Sequence, residues 1–265
     1  MNAFDYQRPT SIAAAQAAMR ANVDARPVAG GQTLLGAMKL GLAAPDALID
    51  LGSIADLTGI EIAADAITVR AMTRHAAVAA DAGVRKTIPA LAQLAGGIGD
   101  KQVRNLGTLG GSLANSDPAA CYPAAVLGLG ATVHTDQRQI DADAFFTGMF
   151  ETALNPGELI TAVRFPVPAA AAYLKFRHPA SRFALVGVFV ARLGANVRIG
   201  VTGAGAYAFR ATAFEQALTK QFSVAAVAGI ELPPAGLNSD MHASAEYRAH
   251  LVGVLVRRAV AQLGG

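Results

Sequence analysis

The sequence predicts a protein of the α+β class, in which strands and helices are mixed in several short blocks along the chain. Three observations support this class: β-rich runs and amphipathic helical runs are mixed, no repeat of fixed period occurs, and the chain is long enough for a sizeable core. Of its 265 residues, 53% are hydrophobic and 15% are charged, whereas about 25% charged residues is typical. This composition excludes an intrinsically disordered chain.

The first fifty-odd residues are predicted to form a helix followed by a strand-turn-helix-strand unit. Residues 11–21 are an alanine-rich run after a Thr-Ser pair, which predicts a capped helix. Short apolar strands are predicted at 27–29 and 47–51, and the first of them leads directly into Gly30 and Gly31.

The middle of the chain combines one predicted hairpin with helices. Two β-rich runs within residues 60–72 predict the hairpin. Helical patterns follow at 73–82 and 87–96 and give way to a glycine-rich stretch at 96–119. One further strand is predicted at 157–165, before a proline.

The last third of the chain is predicted to be a separate unit. Two prolines and a run of alanines mark a boundary near 167–172. Three strands, predicted to form an antiparallel meander, follow at Tyr173–Arg177, Ala184–Leu193 and Asn196–Thr202. The tail, Ser244–Leu263, has its apolar residues on one helical face and predicts an amphipathic helix.

Charge and hydropathy exclude two classes of function. Lys and Arg number 22 against 19 Asp and Glu, a formal net charge of +3, and no basic run exceeds two residues. Nucleic acid binding is therefore not expected. A membrane-spanning helix needs about 20 apolar residues. The longest uncharged stretch, 118–133, is shorter and carries two prolines, so no membrane span is expected. No secretory signal precedes the first helix, so the expected location is the cytoplasm.

Cysteine and histidine usage argues against a metal centre in this chain. The single cysteine, Cys121, excludes an intramolecular disulfide, a Cys-ligated iron–sulfur cluster and a Cys-rich zinc site. The five histidines show no HxxxH spacing. We expect His75, His134 and His242 to be surface or capping residues and Cys121 to be a small buried side chain.

The first informative segment is VAGGQTLL, residues 28–35, in which an apolar strand enters a double glycine and polar residues open a helix. Glycines permit positive φ and close backbone approach, so exposed N–H groups can surround a phosphate. A helix start adds partial positive charge there. The alternative is an ordinary strand-to-helix turn, because Gly-Gly is a common turn dipeptide.

The second segment is NLGTLGGSLAN, residues 105–115, which is uncharged and rich in glycine, hydroxyl and amide groups. This composition suits a polyphosphate and its adjoining sugar. The alternative is a long solvated loop, although its leucines would be poorly placed in water. Neither segment matches a known nucleotide fingerprint, since GxGxxG after a strand, GxxxxGK[ST] and GxSxG are all absent.

Five blocks occur in order along the chain: AGGQTLL, then RNLGTLGGSLANSDPAA about eighty residues later, GELITAVRFP, YLKFRHPASRFALVGV and DMHASAEYRAHLVGVLVRRAV. In these blocks the chain resembles the FAD-binding medium subunits of the molybdenum hydroxylases, the family of bacterial xanthine dehydrogenase, carbon monoxide dehydrogenase and aldehyde oxidoreductase. The resemblance covers nearly the whole sequence.

The resemblance implies a particular α+β architecture. A two-subdomain FAD-binding domain of the vanillyl-alcohol-oxidase type would occupy residues 1–168, with subdomains of about 1–55 and 56–168. A small C-terminal domain of a three-stranded sheet and helices would occupy 169–265. The flavin would lie between these parts.

The resemblance also implies which residues contact FAD, and none of them is catalytic. The loop that wraps the pyrophosphate corresponds to Val28, Ala29, Gly30, Gly31, Gln32 and Thr33. The second loop contributes Thr108, Gly110, Gly111, Ser112 and Asn115. The remaining contacts fall on Ile98, on the backbone of Leu159 or Ile160 near the isoalloxazine, and on Lys175. On periodicity alone, Lys175 would instead belong to the solvent face of its strand.

One position departs from the family pattern. Many relatives carry an acidic flavin-binding residue where this chain has Cys121. A substitute contact is therefore expected there. The chain also lacks the Cys-rich insertion that holds a [4Fe–4S] cluster in some relatives.

The implied function is an electron relay. A molybdenum cofactor subunit would oxidise the substrate, a small subunit would pass electrons through [2Fe–2S] clusters, and the FAD would deliver them to NAD, a quinone or another acceptor. A dimer of heterotrimers is the expected assembly. Two alternatives stay open: a self-contained FAD-dependent oxidase or reductase, and a non-catalytic ligand-binding protein.

Overall fold

The computed structural model describes residues 2–265, and the chain begins with a small parallel sheet in the strand order β1-β3-β2. Its elements are β1 (Asp5–Gln7), α1 (Ile12–Ala21), β2 (Arg26–Val28), α2 (Leu34–Lys39) and β3 (Ala47–Asp50). The predicted helix and both predicted strands are confirmed. Ser11 caps α1, because its hydroxyl accepts from the N–H of Ala14 at 3.2 Å.

The second part of the fold is an antiparallel sheet of five strands with helices packed against it, in the order β4-β5-β10-β6-β7. Its elements are β4 (Ile60–Ile62), β5 (Ala66–Arg70), α3 (His75–Ala80), α4 (Ala82–Thr87), α5 (Pro89–Gly96), α6 (Lys101–Leu106), α7 (Leu109–Asn115), α8 (Tyr122–Leu129), β6 (Thr132–Thr135), β7 (Gln139–Asp141), α9 (Ala142–Phe145), β8 (Phe146–Gly148), β9 (Glu151–Thr152) and β10 (Ile160–Pro166). The hairpin predicted within 60–72 is confirmed as β4 and β5.

The helix predicted at 73–82 is divided in the structure. Asp81 has extended backbone between α3 and α4, and its carboxylate accepts from the N–H of Val84 at 2.8 Å. When the side chain of an aspartate caps the start of one helix, the backbone at that residue no longer continues the preceding helix. The run of alanines favours a helix on both sides and gave no sign of this break.

The segment expected to be a loop at 105–115 is largely helical, which corrects the solvated-loop alternative. Leu109 and Leu113 on α7 are fully buried, whereas Leu106 is exposed. Thr108 caps α7 by accepting from the N–H of Gly111 at 3.1 Å. A side chain at Gly110 would lie 2.6 Å from the Cβ of Ala71, so glycine allows α7 to pack closely on the segment after β5.

The C-terminal part is a four-stranded antiparallel sheet, ordered β11-β12-β13-β14, covered on one face by two helices. Its elements are β11 (Ala170–Arg177), β12 (Ala184–Leu193), β13 (Asn196–Thr202), β14 (Phe209–Arg210), α10 (Thr212–Lys220) and α11 (Ala245–Gln262). The three predicted strands and the tail helix are confirmed. The fourth strand has two residues, too few to show a sequence periodicity.

Helix α8 joins the second and third parts. All eight of its residues are buried, and it packs against β12 and β13. Helix α8 lies within the uncharged stretch 118–133, and its burial on all sides explains why that stretch is apolar. Across residues 2–265, the structure shows no helix whose length and hydropathy would allow it to cross a membrane.

Candidate functional site

A cleft of about 760 Å³ lies where the three parts of the fold meet. Small-molecule sites typically have volumes of about 300–1,000 Å³. The fifteen residues predicted to contact the cofactor all line this cleft, as does Cys121 at the position that departs from the family pattern: Val28, Ala29, Gly30, Gly31, Gln32, Thr33, Ile98, Thr108, Gly110, Gly111, Ser112, Asn115, Cys121, Leu159, Ile160 and Lys175. The structure therefore brings together four stretches of the chain that are far apart in sequence, 28–33, 98–121, 159–160 and 175.

The turn after β2 requires glycine at two positions. Gly31 has a φ of +68°, which L side chains rarely adopt. A side chain at Gly30 would approach the carbonyl oxygen of Leu106 to 2.3 Å. These glycines let the turn bend and lie directly against the segment that precedes α7.

This turn also presents free backbone donors. Among residues 2–265, nothing accepts a hydrogen bond from the N–H groups of Gly30, Gly31, Gln32 or Thr33. Gln32 folds back, so that its side-chain amide donates to the carbonyl of Gly30 at 3.1 Å. Consecutive free N–H groups beside the start of α2 are available to donate to an anion.

Helix α7 contributes side chains rather than free backbone donors. The N–H of Leu109 donates to the carbonyl of Thr73 at 3.1 Å, and that of Gly110 donates to the carbonyl of Ala71 at 2.8 Å. The side chains of Ser112 and Asn115 line the cleft without a partner in the described chain. Their hydroxyl and amide groups are available to a polar ligand.

Lys175 projects from β11 into the cleft, which corrects the alternative of a solvent-facing lysine. Its ammonium donates to the carbonyl of Gly97 at 2.7 Å, to the carbonyl of Arg182 at 3.2 Å and to Sγ of Cys121 at 3.3 Å. An ammonium has three protons. The contacts therefore hold the ammonium at the wall of the cleft.

Cys121 precedes α8 and is buried, as predicted. It also makes a polar contact with a neighbouring side chain. It is 5% exposed and accepts from Lys175. The neighbouring Tyr173 hydroxyl has no geometric hydrogen-bond partner in residues 2–265. Burial, followed by the proximity of Cys121, raises the pKa of Tyr173 above its ordinary value, so this phenol stays neutral.

Replacing Cys121 with serine should keep FAD affinity within about tenfold, roughly 1.4 kcal/mol. A hydroxyl is small enough for the same site and can also accept from Lys175. Titration of the deflavinated variant with FAD measures the effect. Cys121→Asp, which introduces the acidic residue that the resemblance implies at this position, is the companion variant. A Cys121→Ser chain that folds but is purified entirely without flavin would contradict this interpretation.

The peptide of Leu159 is already occupied by contacts within the protein. Its N–H donates to Oδ1 of Asp136 at 2.7 Å, and its carbonyl accepts from the N–H of Asp136 at 3.0 Å. Ile160, the other residue predicted to offer a backbone contact, opens β10 opposite Thr135 of β6. Both residues are almost completely buried in the cleft wall.

His75 lines the cleft although the sequence does not indicate it. It was expected at the surface or at a cap, but it is 5% exposed and lines the cleft. Burial and the charge of Arg104 lower its pKa to about 4, so the imidazole is neutral near pH 7. Its Nδ1 has no partner in the described chain. One histidine in a helical pattern carries no sign of such burial.

Glu158 fixes the cleft wall through an ion pair in which the carboxylate is buried and the arginine is partly exposed. Its side chain is fully buried, and Arg138 donates to it from Nε at 3.0 Å. Thr135 and the N–H of Asn155 donate to the same carboxylate at 2.7 and 2.8 Å. Burial by itself raises the pKa of Glu158, but these hydrogen bonds and the charge of Arg138 outweigh it and lower the pKa to about 2.

Glu158→Gln should destabilise the fold at pH 7 by about 2–3 kcal/mol. Because the folded-state pKa lies below the ordinary value of 4.5, the stabilisation is present above that value and is lost as the pH falls towards about 2. Urea unfolding at pH 7 and pH 3 measures this difference. Glu61→Gln, which removes an exposed partner of Arg70, is the matched control. An equal loss for Glu158→Gln at both pH values would contradict the assignment.

Two family models together match almost the whole chain. The FAD binding domain in molybdopterin dehydrogenase matches residues 2–168. The CO dehydrogenase flavoprotein C-terminal domain matches residues 171–263.

Curated proteins and solved structures resemble the chain over its full length. The carbon monoxide dehydrogenase medium chain of Afipia carboxidovorans is 36% identical, covering 97% of this chain and 95% of that protein. The nicotine 6-hydroxylase medium subunit of Paenarthrobacter nicotinovorans is 35% identical, covering 99% and 98%. Reconstituted CO dehydrogenase from Oligotropha carboxidovorans matches with a TM-score of 0.88 and 34% identity, over 98% of this chain and 97% of that one. Quinoline 2-oxidoreductase from Pseudomonas putida 86 matches with a TM-score of 0.88 and 29% identity, over 98% and 96%.

Proposed function

We propose that this chain, which belongs to the FAD-binding medium subunits of the molybdenum hydroxylases, is the electron-relay subunit of a multi-subunit oxidoreductase. The observation that carries the proposal is the row of free backbone N–H groups at Gly30–Thr33, inside a cleft large enough for a dinucleotide. A diphosphate is the group that such a row of donors suits.

The rest of the cleft also suits FAD. Gly30–Thr33 would bind the pyrophosphate, and Ser112 and Asn115 would bind neighbouring hydroxyls. Ile98 and the Ile160 segment would form the wall beside the isoalloxazine, and Lys175 would place a fixed positive charge near it. When bound, FAD supplies the redox chemistry, while the protein sets its position and its electrostatic surroundings.

We also propose how the chain divides into domains. Residues 1–168 would form the FAD-binding domain, with subdomains of about 1–55 and 56–168, and residues 169–265 would complete the site from the other side. Two observations support this division. The two family models meet between 168 and 171, and the second and third sheets separate between β10 and β11.

The partners follow from the family. We propose a small subunit with [2Fe–2S] clusters and a large subunit with the molybdenum cofactor, assembled as a dimer of heterotrimers. The relatives support separate partners, since they are named as medium chains or subunits of dehydrogenases. NAD, a quinone or another carrier would accept the electrons. The cytoplasmic location stays a prediction.

Co-expression with the neighbouring genes tests this function. We expect a complex that contains molybdenum, iron and FAD and that hydroxylates an organic substrate. The chain expressed alone should hold FAD and show at most slow dye reduction. If the single chain, free of molybdenum and iron, oxidised such a substrate with full turnover, a self-contained oxidase would replace the relay.

A further inference from the structure

Leu159 lies where the first and second parts of the fold meet the cleft. Its side chain is 4% exposed and packs in the core of the first part with Ile49 and Leu57. The next residue begins β10 of the second sheet. A displacement of Leu159 would therefore change both the cleft wall and the junction between the two parts.

Asp136, in the turn between β6 and β7, holds this residue from outside the cleft. It accepts from the N–H of Leu159 at 2.7 Å and donates its own N–H to the carbonyl of Leu159 at 3.0 Å. Its second carboxylate oxygen accepts from the side-chain amide of Gln16 on α1. One side chain thus connects the turn, the cleft wall and the first part of the fold.

Glu158 makes the same kind of contact in the opposite direction. It extends from the wall segment to the turn, where it accepts from the hydroxyl of Thr135 at 2.7 Å and from Arg138 at 3.0 Å. A carboxylate on each side therefore joins the turn to the wall: Asp136 of the turn accepts from the wall, and Glu158 of the wall accepts from the turn. Hydrogen bonds to ionised groups are stronger than neutral ones, so the wall cannot slide along the turn without breaking several of them.

We propose that Asp136 is a positioning residue for the flavin: it fixes the Leu159–Ile160 wall and thereby sets the affinity and the reduction potential of the bound FAD. Asp136 is absent from the residues that line the cleft, so its effect passes through Leu159. This inference rests on the proposed function, because it concerns the FAD that the cleft is proposed to hold.

Three variants of the full chain separate positioning from other roles. Asp136→Leu is close in size but accepts no hydrogen bond, Asp136→Asn keeps an oxygen that accepts from Leu159, and Gln137→Leu changes the exposed neighbour in the same turn. The dissociation constant for FAD and the reduction potential at saturating FAD are measured for each.

We expect Asp136→Leu to weaken FAD binding at least tenfold and to shift the potential. Asp136→Asn should stay within threefold of the wild type, and Gln137→Leu should match it. A purely structural role would lower stability without moving the potential of the flavin that remains bound. A folded Asp136→Leu chain with wild-type affinity and potential would overturn the proposal.

If Asp136→Leu does not fold, Asp136→Glu decides the question. It keeps the charge but moves the carboxylate by one methylene, so we expect FAD affinity to fall at least threefold and the potential to shift. Wild-type values for both quantities would overturn the proposal. A wild-type chain without any affinity for FAD would instead overturn the proposed function.

Discussion

Gly31→Asp should abolish FAD binding while the chain still folds. The variant places a carboxylate beside the free N–H groups of the turn, where the pyrophosphate is proposed to bind. Two like charges about 4 Å apart repel by about 4 kcal/mol at an effective dielectric constant of 20, or roughly a thousandfold in affinity. Fluorescence titration with FAD measures the loss, and circular dichroism checks the fold.

Gly31→Asn is the matched control. Asparagine has the size of aspartate and, like it, tolerates positive φ better than other side chains. The Cβ would contact the flexible end of Leu35 in both variants. The difference between the two therefore reports charge. Equal FAD affinities for Gly31→Asp and Gly31→Asn would contradict a pyrophosphate at this turn.

Lys175→Met should lower the reduction potential of the bound flavin. The flavin gains negative charge when it is reduced, and the ammonium that Gly97, Arg182 and Cys121 hold in place stabilises that charge. Removing it should lower the two-electron potential by roughly 30–60 mV, given about 1.4 kcal/mol per 30 mV. Spectroscopic redox titration of the purified flavoprotein measures the shift.

Lys220→Met, at the exposed end of α10, controls for the loss of a positive charge elsewhere on the chain. It should leave the potential unchanged. A Lys175→Met protein with both the potential and the FAD affinity of the wild type would remove Lys175 from the proposed flavin site.

The sequence predicts best those elements whose local signals agree with their packing. Helix α1 has a serine cap and an alanine-rich run, and β12 has a long apolar run between turn residues. At Gly30 and Gly31, which follow an apolar strand, the residues alone permit a phosphate site, and the resemblance to the family implies one. The same composition permits an ordinary turn, and only the structure shows that the N–H groups are free.

The elements that the sequence did not predict depend on distant contacts. Helix α7 contains two adjacent glycines, which disfavour a helix by about 1 kcal/mol each. Its Thr108 cap and the burial of Leu109 and Leu113 overcome that preference. His75 and Asp136 were missed for a related reason. An isolated histidine or a turn aspartate is ordinary, and its role depends on residues tens of positions away.

The most direct test of the account is a calorimetric titration of the deflavinated wild-type chain with FAD. We expect one binding site per chain, and we expect denaturation to release all of the flavin, because no covalent link is expected. A folded chain that takes up no FAD would contradict it. The two glycine segments would then line a cleft for another ligand, and the relay function would have to be abandoned.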